Sequence, residues 1–229
     1  MLFHHSTMTR EGPLGFNQEW LLMVDEASRY AGRASPAPEF PFVFRLRGRW
    51  DRAQLDEALH ALASRHKVLR TVYVPTDRYK TKQREILLQM FLRRRLFVTG
   101  MYVRRALDSA EIDVTECDAT TASVDDLVLA AMAQPLVPRT PPVRAMVFHV
   151  DDDTRVLVLV TSHLICDGWS IHVLLREFLR IYRSVVAGDD ANLPPIEIEF
   201  EKFIDRQLRE HYSGGFAEHE TIGAGNGAG

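Results

Sequence analysis

The chain has 229 residues, 46% of them hydrophobic and 26% charged, with a formal net charge of −3. That apolar share supports a packed core in a single domain and argues against a disordered or fibrous chain, while so slight a charge offers no basic footprint for nucleic acid. No apolar run approaches the roughly 18 residues of a membrane span, the opening MLFHHSTMTREG lacks the basic-then-apolar order of a secretory signal, and a cytoplasmic protein is the default expectation.

In chain order, residues 1–12 read as a loose start, and Asn17–Tyr30 as a helix with Trp20, Leu21, Val24 and Ala27 at helical spacing. Ser35, Pro36, Pro38 and Pro41 make a loop. Phe42–Gly48 then alternates, with Phe42, Phe44 and Leu46 on one face and Arg45 and Arg47 on the other, as a half-buried strand does. Asp51 is placed to cap the next helix, with Gln54 completing a capping box; its core stripe is Leu55, Ala58, Leu59 and Leu62, and Leu69–Val74 continues as a strand. Between Tyr79 and Val103 the spacing of Ile86, Leu87, Met90 and Phe91 predicts an inserted helix near 79–97, ended by Arg93, Arg94 and Arg95, whose charge suits a helix C-terminus. The bland reading of this insertion is a packed helix with a solvated end; the functional one is a docking surface for a partner protein or an acidic carrier domain.

Further on, Ile112 and Val114 mark a strand, and Ser123 caps a helix over Val124–Ala133. Pro135, Pro138, Pro141 and Pro142 force an extended loop. Val143–Val150 and Arg155–Thr161 form an antiparallel hairpin across Asp151, Asp152 and Asp153, and a last helix runs over Ile171–Val186 to a stop at Gly188. Residues 214–229, ending GAGNGAG, read as a flexible tail, leaving one domain over 13–212 with no internal repeat. The two cysteines, Cys117 and Cys166, are too few for a disulfide framework and have no zinc spacing, so no metal is expected.

The most informative stretch is Val156–Ser170, VLVLVTSHLICDGWS. A β-branched apolar run is a natural buried strand; it leads directly into His163, then Asp167 and Gly168, with Ser170 placed to cap the following helix. A lone histidine at a strand end is ordinarily a hydrogen-bonded core residue. Held rigidly beside a turn, it can equally present one imidazole to a substrate, and an imidazole with a pKa of about 6.5 takes up a proton at physiological pH.

The pattern His163-x-x-x-Asp167-Gly168 resembles the active-site motif of nonribosomal peptide synthetase condensation domains and of the related chloramphenicol acetyltransferases. Arg65-His66-Lys67-Val68-Leu69-Arg70-Thr71 is similar to a second signature of condensation domains, Pro13–Leu21 to their opening motif and, more weakly, Phe200–Glu210 to the segment that follows their N-terminal lobe. The resemblance implies an α+β fold (an α/β sandwich): a chloramphenicol acetyltransferase-like lobe with a mixed, mostly antiparallel sheet flanked by helices. It implies His163 as catalytic residue, acting as general base or steadying the tetrahedral intermediate as an amine or hydroxyl attacks a thioester carried on phosphopantetheine. Asp167, Gly168, Ser162, Arg65 and Arg70 would be structural support: Asp167 paired with an arginine (Arg65 and Arg70 being candidates), Gly168 allowing close backbone approach. Cys166 is read as packing and Trp169 as core. One departure is that the family usually carries two consecutive histidines, and Ser162 stands in place of the first.

The family has two such lobes with the histidine beside a tunnel between them, and 229 residues suffice for one. The first expectation is therefore a condensation-type acyltransferase working with carrier proteins or neighbouring synthetase modules, with no bound cofactor, whose second wall comes from another copy of the chain or a complementary half-domain. The second is a non-catalytic half-domain for docking or assembly, favoured by Ser162 and the insertion. A minor third is a coenzyme A-dependent small-molecule acetyltransferase, against which the Arg65–Thr71 signature counts.

Overall fold

The computed structural model describes residues 8–32, 39–48, 50–80, 100–108, 111–133, 135–137 and 140–213. They form, in order, β1 (Met8–Gly12), α1 (Phe16–Tyr30), β2 (Glu39–Arg47), α2 (Arg52–Arg65), a 3-10 turn (Lys67–Arg70), β3 (Thr71–Pro75), β4 (Tyr102–Leu107), β5 (Asp113–Asp118), α3 (Val124–Met132), β6 (Val143–His149), β7 (Thr154–Ser162), α4 (Gly168–Ala187) and α5 (Phe200–Tyr212). The expected α+β architecture is present, divided into a four-stranded sheet of order β2-β7-β6-β5 and a three-stranded sheet of order β1-β4-β3. Pairing is antiparallel except for β5 with β6.

The apolar run explains its own place. β7 lies between β2 and β6, and successive side chains of a strand point to opposite faces. Leu157 and Leu159 join the larger core with Leu55, Leu59 and Phe178, whereas Val156, Val158 and Val160 join a smaller core with Leu127 and Ala131 of α3. With both faces covered, neither parity of the strand can be polar. Helices α2 and α4 pack together on the larger core, and α3 lies on the crossover that a parallel β5–β6 pair requires.

Caps and hairpins follow local chemistry. Asp51 accepts from Ala53 N at 2.9 Å, so α2 starts as expected, although by a bond to the second residue of the helix and not through the Gln54 box. Ser123 and Asp126 form a reciprocal capping box on α3, and α4 ends at Gly188 in the left-handed region, φ 71°.

Four expectations are corrected. Met8–Gly12, expected to be loose, is strand β1, paired with β4. The buried face of α1 carries Gln18, Glu19, Leu22, Met23 and Asp25, while Trp20 is 53% exposed: the polar members find partners, Gln18 in Tyr73 and Leu164 O, Glu19 Oε1 in Gly100 N and Asp25 in Arg29, which apolar spacing does not reveal. β4, a strand the sequence reading does not offer and whose first two residues fall in the stretch read as an insertion, alternates Tyr102, Arg104 and Ala106 inward. Arg104 is buried because its guanidinium reaches Pro13 O and, at 3.0 Å, Asp205, tying α5 and the entry to α1 onto the small sheet. The cap of α4 is Asp167 in place of Ser170. Of the inserted helix expected near 79–97, only Tyr79 and Lys80 are described, and they are helical; the rest, with the 214–229 tail, lies outside the described residues.

Candidate active site

β7 ends at Ser162, and residues 163–167 turn the chain into α4. The turn is closed from within: Ile165 N donates to Ser162 O at 3.1 Å, Leu164 N to Ser162 Oγ at 3.3 Å, and His163 Nδ1 lies 2.6 Å from Cys166 O. A carbonyl oxygen only accepts, so Nδ1 carries the hydrogen and the neutral imidazole keeps its lone pair on Nε2. The ring also meets Phe40 edge-on, with centroids 5.0 Å apart and planes at 86°. Its tautomer and orientation are thus both fixed. His163 lines a cavity of about 400 Å³ together with Gln18, Trp20, Ile165, Phe203 and Gln207. The cavity's far wall is α5, the segment of the weakest motif.

The other expected site residues divide. Asp167 accepts from Trp169 N (3.2 Å), Ser170 N (2.8 Å) and Ser170 Oγ (2.7 Å) through Oδ1, and these bonds, the Ser170 amide first, hold its carboxyl below the usual carboxylate range. It is a helix cap; among the described residues no arginine reaches it. Arg65 instead bonds Glu177 at 2.7 Å and Pro194 O, and Arg70 reaches Leu107 O and Asp108 O. Both support neighbouring elements and stand apart from the His163 cavity, because each guanidinium has acceptors of its own closer by. A Cβ added at Gly168 would meet no atom within 4 Å, so within this lobe no close backbone approach requires the glycine. Trp169 is 80% exposed, against the expectation of a core residue. Ser162 is buried, and its hydroxyl serves the turn; it lines a small space on the other side, beside Glu39 and Pro142.

Cys166 is buried, and its thiol lies 3.2 Å from Thr161 Oγ1; burial pushes the thiol's pKa up, against nucleophilic use. Among the described residues no group of three His, Cys, Asp or Glu is placed to hold a metal, and no helix is long and apolar enough to cross a membrane.

Two groups escape the sequence reading. Gln18 on α1 donates to Tyr73 Oη at 2.9 Å and to Leu164 O at 2.8 Å, reaching the histidine's turn from 146 residues away. Glu19 is 3% exposed, accepts from Gly100 N at 2.7 Å through Oε1, and has an unpartnered Oε2; burial pushes its pKa up to about 7.

The comparisons with known proteins meet on the same elements. A condensation-domain family model matches residues 34–221. Phosphinothricin tripeptide synthetase PhsB of Streptomyces viridochromogenes is 29% identical over 202 residues, covering 88% of this chain and 16% of that protein; enniatin synthase of Fusarium equiseti is 29% identical over 219 residues, covering 93% and 6%. Among solved structures, the condensation domain of the monacolin K polyketide synthase MokA superposes with TM-score 0.68 at 16% identity, over 92% of this chain and 41% of that one. The X-domain from teicoplanin biosynthesis superposes with TM-score 0.65 at 23% identity, over 94% and 40%. The chain thus spans a small fraction of the synthetases it matches and about two fifths of the solved domains. Because the family match runs from the strand pairing that frames β7, through the histidine's turn, to the helix walling its cavity, the chain belongs to the condensation-domain family.

Proposed function

We propose that this lobe carries out condensation-type acyl transfer, with His163 as the catalytic residue and both substrates delivered on the phosphopantetheine arms of carrier proteins of a nonribosomal peptide or hybrid assembly line. The observation that carries the reading is the His163 Nδ1–H bond to Cys166 O, which leaves Nε2 unprotonated in a residue that lines an open cavity. The acceptor amine or hydroxyl attacks the donor thioester carbonyl, and Nε2 takes its proton. As the new C–N or C–O bond forms and the C–S bond breaks, the proton passes to the departing thiolate, and no nucleophile on the protein is consumed. The cavity is completed by a second wall of polypeptide, in cis or in trans, covering a rim where Trp20 and Phe203 are more than half exposed.

The test is transfer between an acyl-loaded and an aminoacyl-loaded carrier protein, catalysed by the full protein that holds this chain. His163→Ala is expected to slow product formation by about 100-fold or more. Equal rates would overturn the catalytic reading. A wild-type protein that binds carriers without joining their cargoes would instead establish the docking role, which the exposed Trp169 and the Ser162 substitution favour.

A further inference from the structure

We infer that Gln18 is a positioning residue for His163, acting through the Leu164 carbonyl to set which imidazole nitrogen is free. The inference rests on the acyl-transfer reading of His163 and adds to it the group that maintains its tautomer.

The His163 tautomer depends on where Cys166 O points, and Cys166 lies in a turn outside any helix or strand. Bonds within the turn run from Leu164 N, Ile165 N and the Cys166 thiol back to Ser162, and that thiol also meets Thr161 Oγ1; none of them reaches the Leu164 carbonyl. The peptide between Leu164 and Ile165 has its N–H bonded within the turn, to Ser162 O, and its carbonyl held from outside, by Gln18 Nε2 at 2.8 Å and, at 3.5 Å, by Tyr73 Oη. If that peptide rotates, the next residues swing with it and Cys166 O leaves Nδ1.

Gln18 is well built for this holding role. It is 4% exposed, on the inner face of α1. Both N–H groups of its carboxamide are spent on buried acceptors, Tyr73 Oη and Leu164 O, and its Oε1 accepts from Gly15 N at 3.2 Å, which fixes which end of the amide is which. A buried amide with every group bonded has one orientation. Tyr73 is 1% exposed, and burial raises its hydroxyl's pKa, so it remains a neutral partner. Gln18 also lines the cavity that His163 lines, so a rigid helix and the histidine's turn meet at one point.

The test reads the histidine directly. Imidazole nitrogen NMR of histidine-labelled protein, with His163 assigned among the nine histidines by loss of its signals in His163→Ala, reports which nitrogen carries the hydrogen. Wild type should show the Nδ1–H form alone. Gln18→Met fills nearly the same volume without donors; it should give a mixture with the Nε2–H form and slow acyl transfer about tenfold. Tyr73→Phe removes a partner of Gln18 and the long 3.5 Å bond to Leu164 O but leaves the 2.8 Å bond from Gln18, and should keep the wild-type signature even where its melting temperature falls as far. Should Gln18→Met fail to fold, Gln18→Leu, which also lacks both donors, carries the same expectation. A folded Gln18 variant with the wild-type signature overturns the inference. The two readings fail separately: if His163→Ala transfers acyl groups at full rate while the tautomer still follows Gln18, the catalytic reading falls and the positioning contact stands.

Discussion

Helices α2 and α4 meet around Glu177, and α1 meets the residues leading into β4 around Glu19; both side chains are nearly closed to solvent, at 5% and 3% exposure. Glu177 lies between two basic groups, Arg65 Nε and His66 Nε2, each at 2.7 Å. Burial works against its charge, but the bonds from Arg65 and His66 outweigh it and hold the carboxyl below the usual range. Glu19 has backbone amides for company, and there burial wins, lifting it to about 7. The difference teaches that a full charge at hydrogen-bond distance keeps a buried acid ionised where backbone amides alone do not offset its burial.

The largest expected effect tests the first region. Glu177→Gln leaves Arg65 and His66 without their anion, and urea unfolding at pH 7 should show a loss of about 3 kcal/mol; a loss no larger than that of an exposed glutamate would break the contrast. For Glu19 the sign runs the other way. Unfolded it ionises near 4.5, folded near 7. Its contribution is therefore complete below pH 4.5 and is lost as pH rises to 7, where the unfolded chain sheds its proton first. Between pH 5 and pH 8 wild type should lose about 2 kcal/mol more than Glu19→Gln, which keeps an acceptor for Gly100 N; parallel curves would refute the raised value.

Glu177 supplies the mirror of that experiment. Its stabilisation is present above the ordinary 4.5 and is lost as pH falls through the lower folded value, so wild type should lose stability toward pH 3 faster than Glu177→Gln. The smallest effect belongs to Asp167, an exposed acid whose partners are a helix start. Asp167→Ala should cost about 1 kcal/mol in thermal or urea unfolding, and Asp167→Asn only a few tenths, since an amide oxygen caps as well. An asparagine as damaging as alanine would mean that the charge, and not the cap, is what the position needs.

How far the sequence discloses this molecule depends on the reach of each interaction. Asp51, Ser123 and the Asp151–Asp153 turn act on neighbours a few residues away, so α2, α3 and the β6–β7 hairpin are legible. His163 and Cys166 are three apart, so the histidine's turn is legible too, although its Nδ1 partner is a main-chain atom that no motif records. Glu177 stands 112 residues from Arg65, and Leu164 stands 146 from Gln18; nothing local marks either pairing. β1 and β4 escape notice because each carries charged residues, Arg10 and Glu11 in one and Arg104 and Arg105 in the other, that alternation rules read as solvent-facing. The face of α1 is misread for the same reason: Gln18 and Glu19 turn inward to bond.

The pairing of β2 with β7, from Glu39 with Ser162 to Arg47 with Thr154, has a consequence for synthesis on the ribosome. A chain emerging N-terminus first exposes β2 more than a hundred residues before its partner exists, and β6 too must await the strand that joins them. Until Thr154–Ser162 leaves the exit tunnel, the larger sheet has no middle, and Phe42 and Phe44 stay available to whatever chaperone waits there. The histidine's turn follows immediately on that last strand and forms with the sheet, whereas the cavity beside it gains its far wall only when Phe200–Tyr212 has followed.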